Sequence, residues 1–159
     1  MDIHLCVERP ERYVEALADA GANSIIFQFE AMDSADGVAT LAKRIRDKGM
    51  RSGISINLET PISDIVDLLE IGLFDIVDIL AVNSGFGGQA FQESALKKIE
   101  ELNDWIISHE SNVHIMVDGG INNHTSSKVR DAGAHILVAG TFLFRHKESL
   151  AAGAQELLL

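Results

Sequence analysis

Short apolar runs alternate along the chain with longer amphipathic stretches. The apolar runs predict strands over residues 2–6, 23–29, 51–57, 74–82, 113–117 and 135–139. The amphipathic stretches predict helices over 10–20, 34–48, 61–71, 91–109, 123–132 and 147–158. The strands are nearly continuous Ile, Val, Leu and Phe, with little polar alternation, which is the pattern of a parallel sheet buried on both faces. Start and stop signals agree with the helices. Pro10 and Pro61 sit where a first helical turn tolerates a missing N–H, with Thr60 as a cap for the second. Gly21, Gly49, Gly72 and Gly133 each fall just past a predicted helix, where a left-handed residue is needed. The segment Asp19-Ala20-Gly21-Ala22 returns as Asp131-Ala132-Gly133-Ala134, 112 positions later, or four steps of 28. That step is the length of one strand plus one helix, so the chain reads as repeated βα units.

The fold expected from this repeat is α/β, of the (β/α)8 TIM-barrel type, with six of the βα units present. A closed barrel needs eight units and about 250 residues, with compact examples near 200. The chain opens at Met1-Asp2-Ile3, inside a predicted strand, so two further units of about 50–60 residues are expected upstream. An open strand edge calls for a partner, so a homo-oligomer is expected as well.

The length of 159 residues and 47% hydrophobic content suit a single domain over 1–159 with a packed core. A formal charge of −11 argues against nucleic acid or an anionic membrane as partner. It also means that any phosphate site must be local, built from oriented backbone dipoles. Cys6 is the single cysteine, so no internal disulfide forms, and no run resembles a secretory signal or a membrane span. These features predict a cytoplasmic protein; an organelle address is compatible with them too.

In parallel β/α folds the ligand lies beyond the carboxyl ends of the strands. The run Asn83-Ser84-Gly85-Phe86-Gly87-Gly88-Gln89 follows the fourth predicted strand and places three glycines within four residues. Glycines there let backbone N–H groups converge on an anion, typically a phosphate; a tight turn is the plainer reading. Asp118, followed by Gly119 and Gly120, ends the fifth strand, and a carboxylate in that position is poorly explained by packing. Gly140 and Thr141 end the sixth strand and read equally as an anion contact or a turn. His4, on the first strand, reads as a core histidine or as a metal ligand, and with Asp118 it offers one nitrogen and one carboxylate. Cys6 reads as core, with nothing nearby to lower its pKa. His109, His114, His124, His135 and His146 lack paired spacing and read as surface or supporting residues. Trp105 reads as outer packing, and Asp64, Asp67, Glu70 and Asp75 as solvated helix faces.

Taken together, these motifs resemble the ribulose-phosphate 3-epimerase family over essentially the whole chain, matching the last six of its eight βα units. The landmarks are Asp2-Ile3-His4-Leu5, Pro10-Glu11-Arg12-Tyr13, Ala20-Gly21-Ala22, Gly85-Phe86-Gly87-Gly88-Gln89, Val117-Asp118-Gly119-Gly120-Ile121-Asn122 and Val138-Ala139-Gly140. The resemblance implies interconversion of ribulose 5-phosphate and xylulose 5-phosphate in the pentose phosphate pathway, by two-base proton transfer through a metal-stabilised enediolate. It implies Asp118 as one base and as a metal ligand, and His4 as another ligand of one divalent ion, with Zn, Fe, Mn and Co undistinguished. It places contacts to the phosphorylated ketose at Gly85, Phe86, Gly87, Gly88, Gly119, Gly120, Gly140 and Thr141. Departures are also visible. The family's remaining metal ligands, including its second catalytic aspartate, lie on a strand with no match here. Gln28 stands where the family commonly has His, Ser84 where it has Pro, and Cys6 and Leu80 where it has methionines. These departures leave two alternatives: a 3-epimerase for a hexulose phosphate such as allulose 6-phosphate, and a non-catalytic phosphosugar-binding paralogue.

Overall fold

The computed structural model describes residues 1–158. Its strands are β1 (Asp2–Leu5), β2 (Ser24–Gln28), β3 (Arg51–Ile56), β4 (Ile76–Leu80), β5 (His114–Asp118) and β6 (Ile136–Val138), hydrogen-bonded in chain order. Between and after them lie the helices α1 (Val14–Asp19), α2 (Ala35–Asp47), α3 (Val66–Glu70), α4 (Ser94–Ser108), α5 (Ser126–Asp131), α6 (Gly140–Phe144) and α7 (Leu150–Leu158). The predicted βα alternation is therefore present. The chain divides into two compact units, Met1–Ile56 with Thr60–Asp78, and Asn57–Glu59 with Ile79–Leu159.

In the first unit β1, β2 and β3 pair in parallel, with Ile3 opposite Ile25 and Phe27 opposite Ile54. Ile25, Ile26, Phe27, Ile54 and Ile56 are fully buried. The parallel arrangement requires a helix between successive strands, and that helix must bury one stripe. In α2 the stripe is Val38, Leu41, Ala42 and Ile45. Its start is fixed by Ser34, whose hydroxyl accepts the Gly37 N–H at 3.2 Å.

In the second unit β5 and β6 pair in parallel, with Val117 opposite Leu137. The Ala81 N–H donates to the Asp118 carbonyl at 2.7 Å. Helix α4 buries Ala95, Ile99, Leu102 and Ile106 together with a lysine, Lys98. The Lys98 ammonium donates to the carbonyls of Asn57 at 2.8 Å and Leu58 at 2.7 Å. Lys98→Met keeps the apolar stem and removes these charge-assisted bonds, so it is expected to destabilise the fold by about 1.5–3 kcal/mol in urea titration.

A pH dependence also arises in this unit. Desolvation by burial, and then the neighbouring His114, lower the His135 pKa from its ordinary 6.5. The geometry suits the neutral ring, since His135 Nδ1 accepts the Ile115 N–H at 3.1 Å. The unfolded chain takes up this proton at higher pH than the folded one, so its contribution is intact above 6.5 and is lost as pH falls through the lower folded value. Thermal melts should show a fall in Tm below that point, and the fall should be smaller in His135→Asn.

The repeated Asp-Ala-Gly-Ala segments adopt the same helix ending. Ala22 N–H reaches back to Leu17 O and Ala134 N–H to Val129 O, around Gly21 at φ +83° and Gly133 at φ +113°. Several boundaries differ from the sequence reading. The predicted helix 10–20 is a 3-10 turn, Pro10–Tyr13, running into α1, and 61–71 is likewise a 3-10 turn, Ile62–Asp64, before α3. Thr60 does not cap it: the residue flanking that turn is Pro61, which makes no side-chain cap, and the Thr60 hydroxyl donates to Glu30 instead. Cys6 is exposed and not core, because β1 ends at Leu5 and the chain leaves the sheet there. Asp75 is half-buried and not merely solvated: it accepts from Arg46 at 2.7 Å and from the Ser52 N–H at 2.9 Å, pinning the start of β3. The histidines other than His4 match the reading, with His109 stacked on Trp105 and His146 beside Glu156. No helix among the described residues is long and apolar enough to cross a membrane.

Candidate functional site

One cavity of about 390 Å³ in the second unit collects most of the residues singled out as anion contacts. Phe86, Gly87, Gly88, Gly119, Gly120, Gly140 and Thr141 line it, and so does Asp118. Gly85 is outside this lining and acts as the bend that leads into it, at φ +146°. The run is held from both ends. Gln89 donates to the carbonyls of Asn83 at 2.7 Å and Phe86 at 2.9 Å, and Gln92 donates to the Asn83 side chain at 3.0 Å. The Ser84 hydroxyl donates to Asn57, so a side-chain hydrogen bond is present where a proline would have none.

The Asp118-Gly119-Gly120 turn needs both of its glycines. A Cβ on Gly119 would lie 2.6 Å from Val82, and one on Gly120 only 2.2 Å from the Phe91 nitrogen. Both have positive φ, +117° and +67°. The turn is tied onward by Asn122 and Thr125, which donate to the Gly120 carbonyl at 3.0 and 3.1 Å. On the other wall Gly140 and Thr141 open the five-residue helix α6. That helix was not predicted, because a segment so short carries no helical periodicity. A Cβ on Gly88 would sit 3.6 Å from the Thr141 hydroxyl, so this side chain faces the glycine run.

In the first unit, His4 lies on β1 and Asp78 on β4. His4 Nε2 faces Gln28 Oε1 at 3.2 Å, while Gln28 Nε2 donates to Glu30 at 2.7 Å. His4 Nδ1 faces Asp78 Oδ2 at 3.6 Å, and Ser55 donates to the same Asp78 oxygen at 2.8 Å. Asp78 was not singled out from sequence. The signal was available: Ile76-Val77-Asp78-Ile79-Leu80 places a carboxylate at the centre of an otherwise apolar strand, and all five residues are buried.

Among the described residues, His4 and Asp78 of the first unit each offer one donor atom to a metal ion, and Asp118 of the second unit offers one as well. Imidazole and carboxylate donors suit a divalent first-row ion such as zinc or manganese. The chemistry of the residues therefore fits a divalent cation.

The fold defines a parallel β/α-repeat protein of the barrel class. A solved structure of 3-hexulose-6-phosphate synthase from Salmonella typhimurium superposes with a TM-score of 0.66 over 92% of this chain and 65% of that one, at 18% identity, and supports the fold alone. The family described as ribulose-phosphate 3 epimerase matches residues 1–144, and the chain belongs to this family. Ribulose-phosphate 3-epimerase from Mycobacterium tuberculosis is 34% identical over 97% of this chain and 65% of its own length. The protein of that name from Bacillus subtilis is 36% identical over 91% of this chain and 64% of its own length. The chain thus spans a little under two thirds of these curated relatives.

Proposed function

We propose that this chain binds a phosphorylated ketopentose and moves the proton beside its carbonyl, the reaction that interconverts ribulose 5-phosphate and xylulose 5-phosphate. The observation carrying this reading is that Asp118 lines the same cavity as both glycine pairs, which puts a carboxylate within one substrate's length of a backbone anion site. The phosphate is taken by N–H groups of Gly87, Gly88, Gly119, Gly120 and Gly140 and by the Thr141 hydroxyl. Gly85 and Phe86 shape the run that presents them. Backbone dipoles suit a chain whose net charge of −11 would otherwise repel the ligand. Asp118 takes the proton from C3 as one base of a two-base transfer, and the anchored phosphate holds C3 against it.

His4 and Asp78 in the first unit, and Asp118 in the second, are residues whose side chains would ligate a divalent ion. Such an ion supplies Lewis-acid polarisation of the substrate's oxygens, which makes the adjacent C–H more acidic. The test is direct conversion of ribulose 5-phosphate, followed by a xylulose 5-phosphate-specific coupled assay with added zinc or manganese. Product formation above background is expected. Binding of the sugar phosphate with no product would instead favour a phosphosugar-binding role.

A further inference from the structure

Resting on the phosphate cavity described above, we infer that Arg145 and Lys147 form an outer anion site that supplies the positive charge for the ligand's phosphate. The glycine cradle offers dipoles but no charge of its own. Among the described residues lining its cavity none is Lys, Arg or His, and the one charged group is the Asp118 carboxylate. A phosphate monoester carries about −1.5 to −2 at pH 7, and it meets a chain whose formal charge is −11. Attraction from solution must then come from cations close to the cavity.

A second cavity of about 460 Å³ provides them. It shares Thr141 and Phe142 with the phosphate cavity, and Arg145 and Lys147 line it. Arg145 lies one helical turn after Thr141, and its N–H donates to the Thr141 carbonyl at 3.1 Å. Residues four apart share a helix face and their side chains lean toward the helix N-terminus, so the guanidinium is carried toward the Thr141 wall. Both cations are exposed, and neither side chain has a hydrogen bond or ion pair within the described residues. Arg44, Arg46, Arg51 and Lys128, by contrast, are each neutralised by a carboxylate. Two carboxylates also line the second cavity. Glu156 is engaged by His146 Nε2 at 3.1 Å, whereas Glu148 pairs with neither cation. Two unpaired cations against one unengaged carboxylate leave positive charge beside the phosphate cavity, available to a ligand anion.

The experiment is calorimetric titration of the full chain with ribulose 5-phosphate and, separately, inorganic phosphate, at low salt and in about 1 M sodium chloride, where the Debye length is about 3 Å. Arg145→Gln is expected to weaken binding of both anions by about three- to tenfold at low salt, and the double variant with Lys147→Gln by more, both losses shrinking at high salt. Lys43→Gln removes the same charge from an exposed position of α2 outside both cavities, and should stay within about twofold of wild type. Glu148→Gln removes the opposing carboxylate and should tighten binding by about two- to threefold, a gain that damage to the fold cannot produce. Equal losses in Arg145→Gln and Lys43→Gln, wild-type affinity in Arg145→Gln, or no gain in Glu148→Gln overturns the inference. Because affinity is read and not turnover, a chain that binds the sugar phosphate without converting it sinks the epimerisation reading and leaves the outer anion site standing. A wild-type chain that binds neither anion sinks both.

Discussion

Asp118→Asn is expected to lower the rate of ribulose 5-phosphate conversion by about 10²–10⁴-fold while leaving the phosphate pocket able to bind. The substitution is isosteric and removes the proton-accepting oxygen together with the charge that would help hold a divalent ion. The backbone at this position is held independently, since its carbonyl takes the Ala81 N–H at 2.7 Å and the next two residues are glycines at positive φ with no room for a side chain beside Val82 and Phe91. The effect should therefore fall on kcat, with little change in affinity for inorganic phosphate measured by calorimetry. Equal rates in the two proteins would remove Asp118 from the chemistry. A joint loss of rate and phosphate affinity would instead make it a structural residue of the turn.

Gly120→Ala is expected to have the largest effect on the fold of the site. The added Cβ would lie 2.2 Å from the Phe91 nitrogen and 2.5 Å from its Cα. Both are backbone atoms, so no rotamer change relieves the clash. The residue also sits at φ +67°, where a side chain adds strain of its own. Together these predict a loss of about 3 kcal/mol or more, along with loss of phosphate binding, because the displaced segment follows directly on the run that lines the cavity. Gly140→Ala is the contrasting case. Its added methyl meets nothing within 4 Å and Gly140 begins a helix, so stability should hold or rise by up to about 1 kcal/mol. Urea denaturation of the two variants side by side separates steric demand from a general intolerance of substitution. A Gly120→Ala protein as stable as wild type would contradict the packing described for this turn.

Much of this architecture was legible because buried parallel strands leave an unmistakable hydrophobic record. Ile25-Ile26-Phe27 and Ile76-Val77 identify their strands, and the glycines at +83° and +113° mark the ends of two equivalent helices. Asp118 and the glycine run stood out for a related reason: they break the apolar pattern at strand ends, where ligands bind. What was lost was local. Helix α6 is too short to show a period, and the 3-10 turns before α1 and α3 differ from α-helix only in their hydrogen bonding. Cys6 was misplaced by a single position, since burial ends where strand pairing does. Asp78 shows a different limit. Its carboxylate sits inside a strand and not at its end, so a search confined to strand termini passes over it, although its position among Val77 and Ile79 was the stronger anomaly.

The family relation accounts for the whole pattern, from the His4 strand to the Gly140 helix, but it does not by itself assign the chemistry of this chain. The most direct measurement is hydrogen exchange at C3 of ribulose 5-phosphate, incubated with the wild-type chain and zinc or manganese in D2O and followed by proton NMR. It reads proton removal by Asp118 alone, without requiring that the substrate be inverted. The account predicts progressive loss of the C3 proton signal with wild type and little or none with Asp118→Asn. An undiminished C3 signal, from a chain that binds the sugar phosphate, would contradict it.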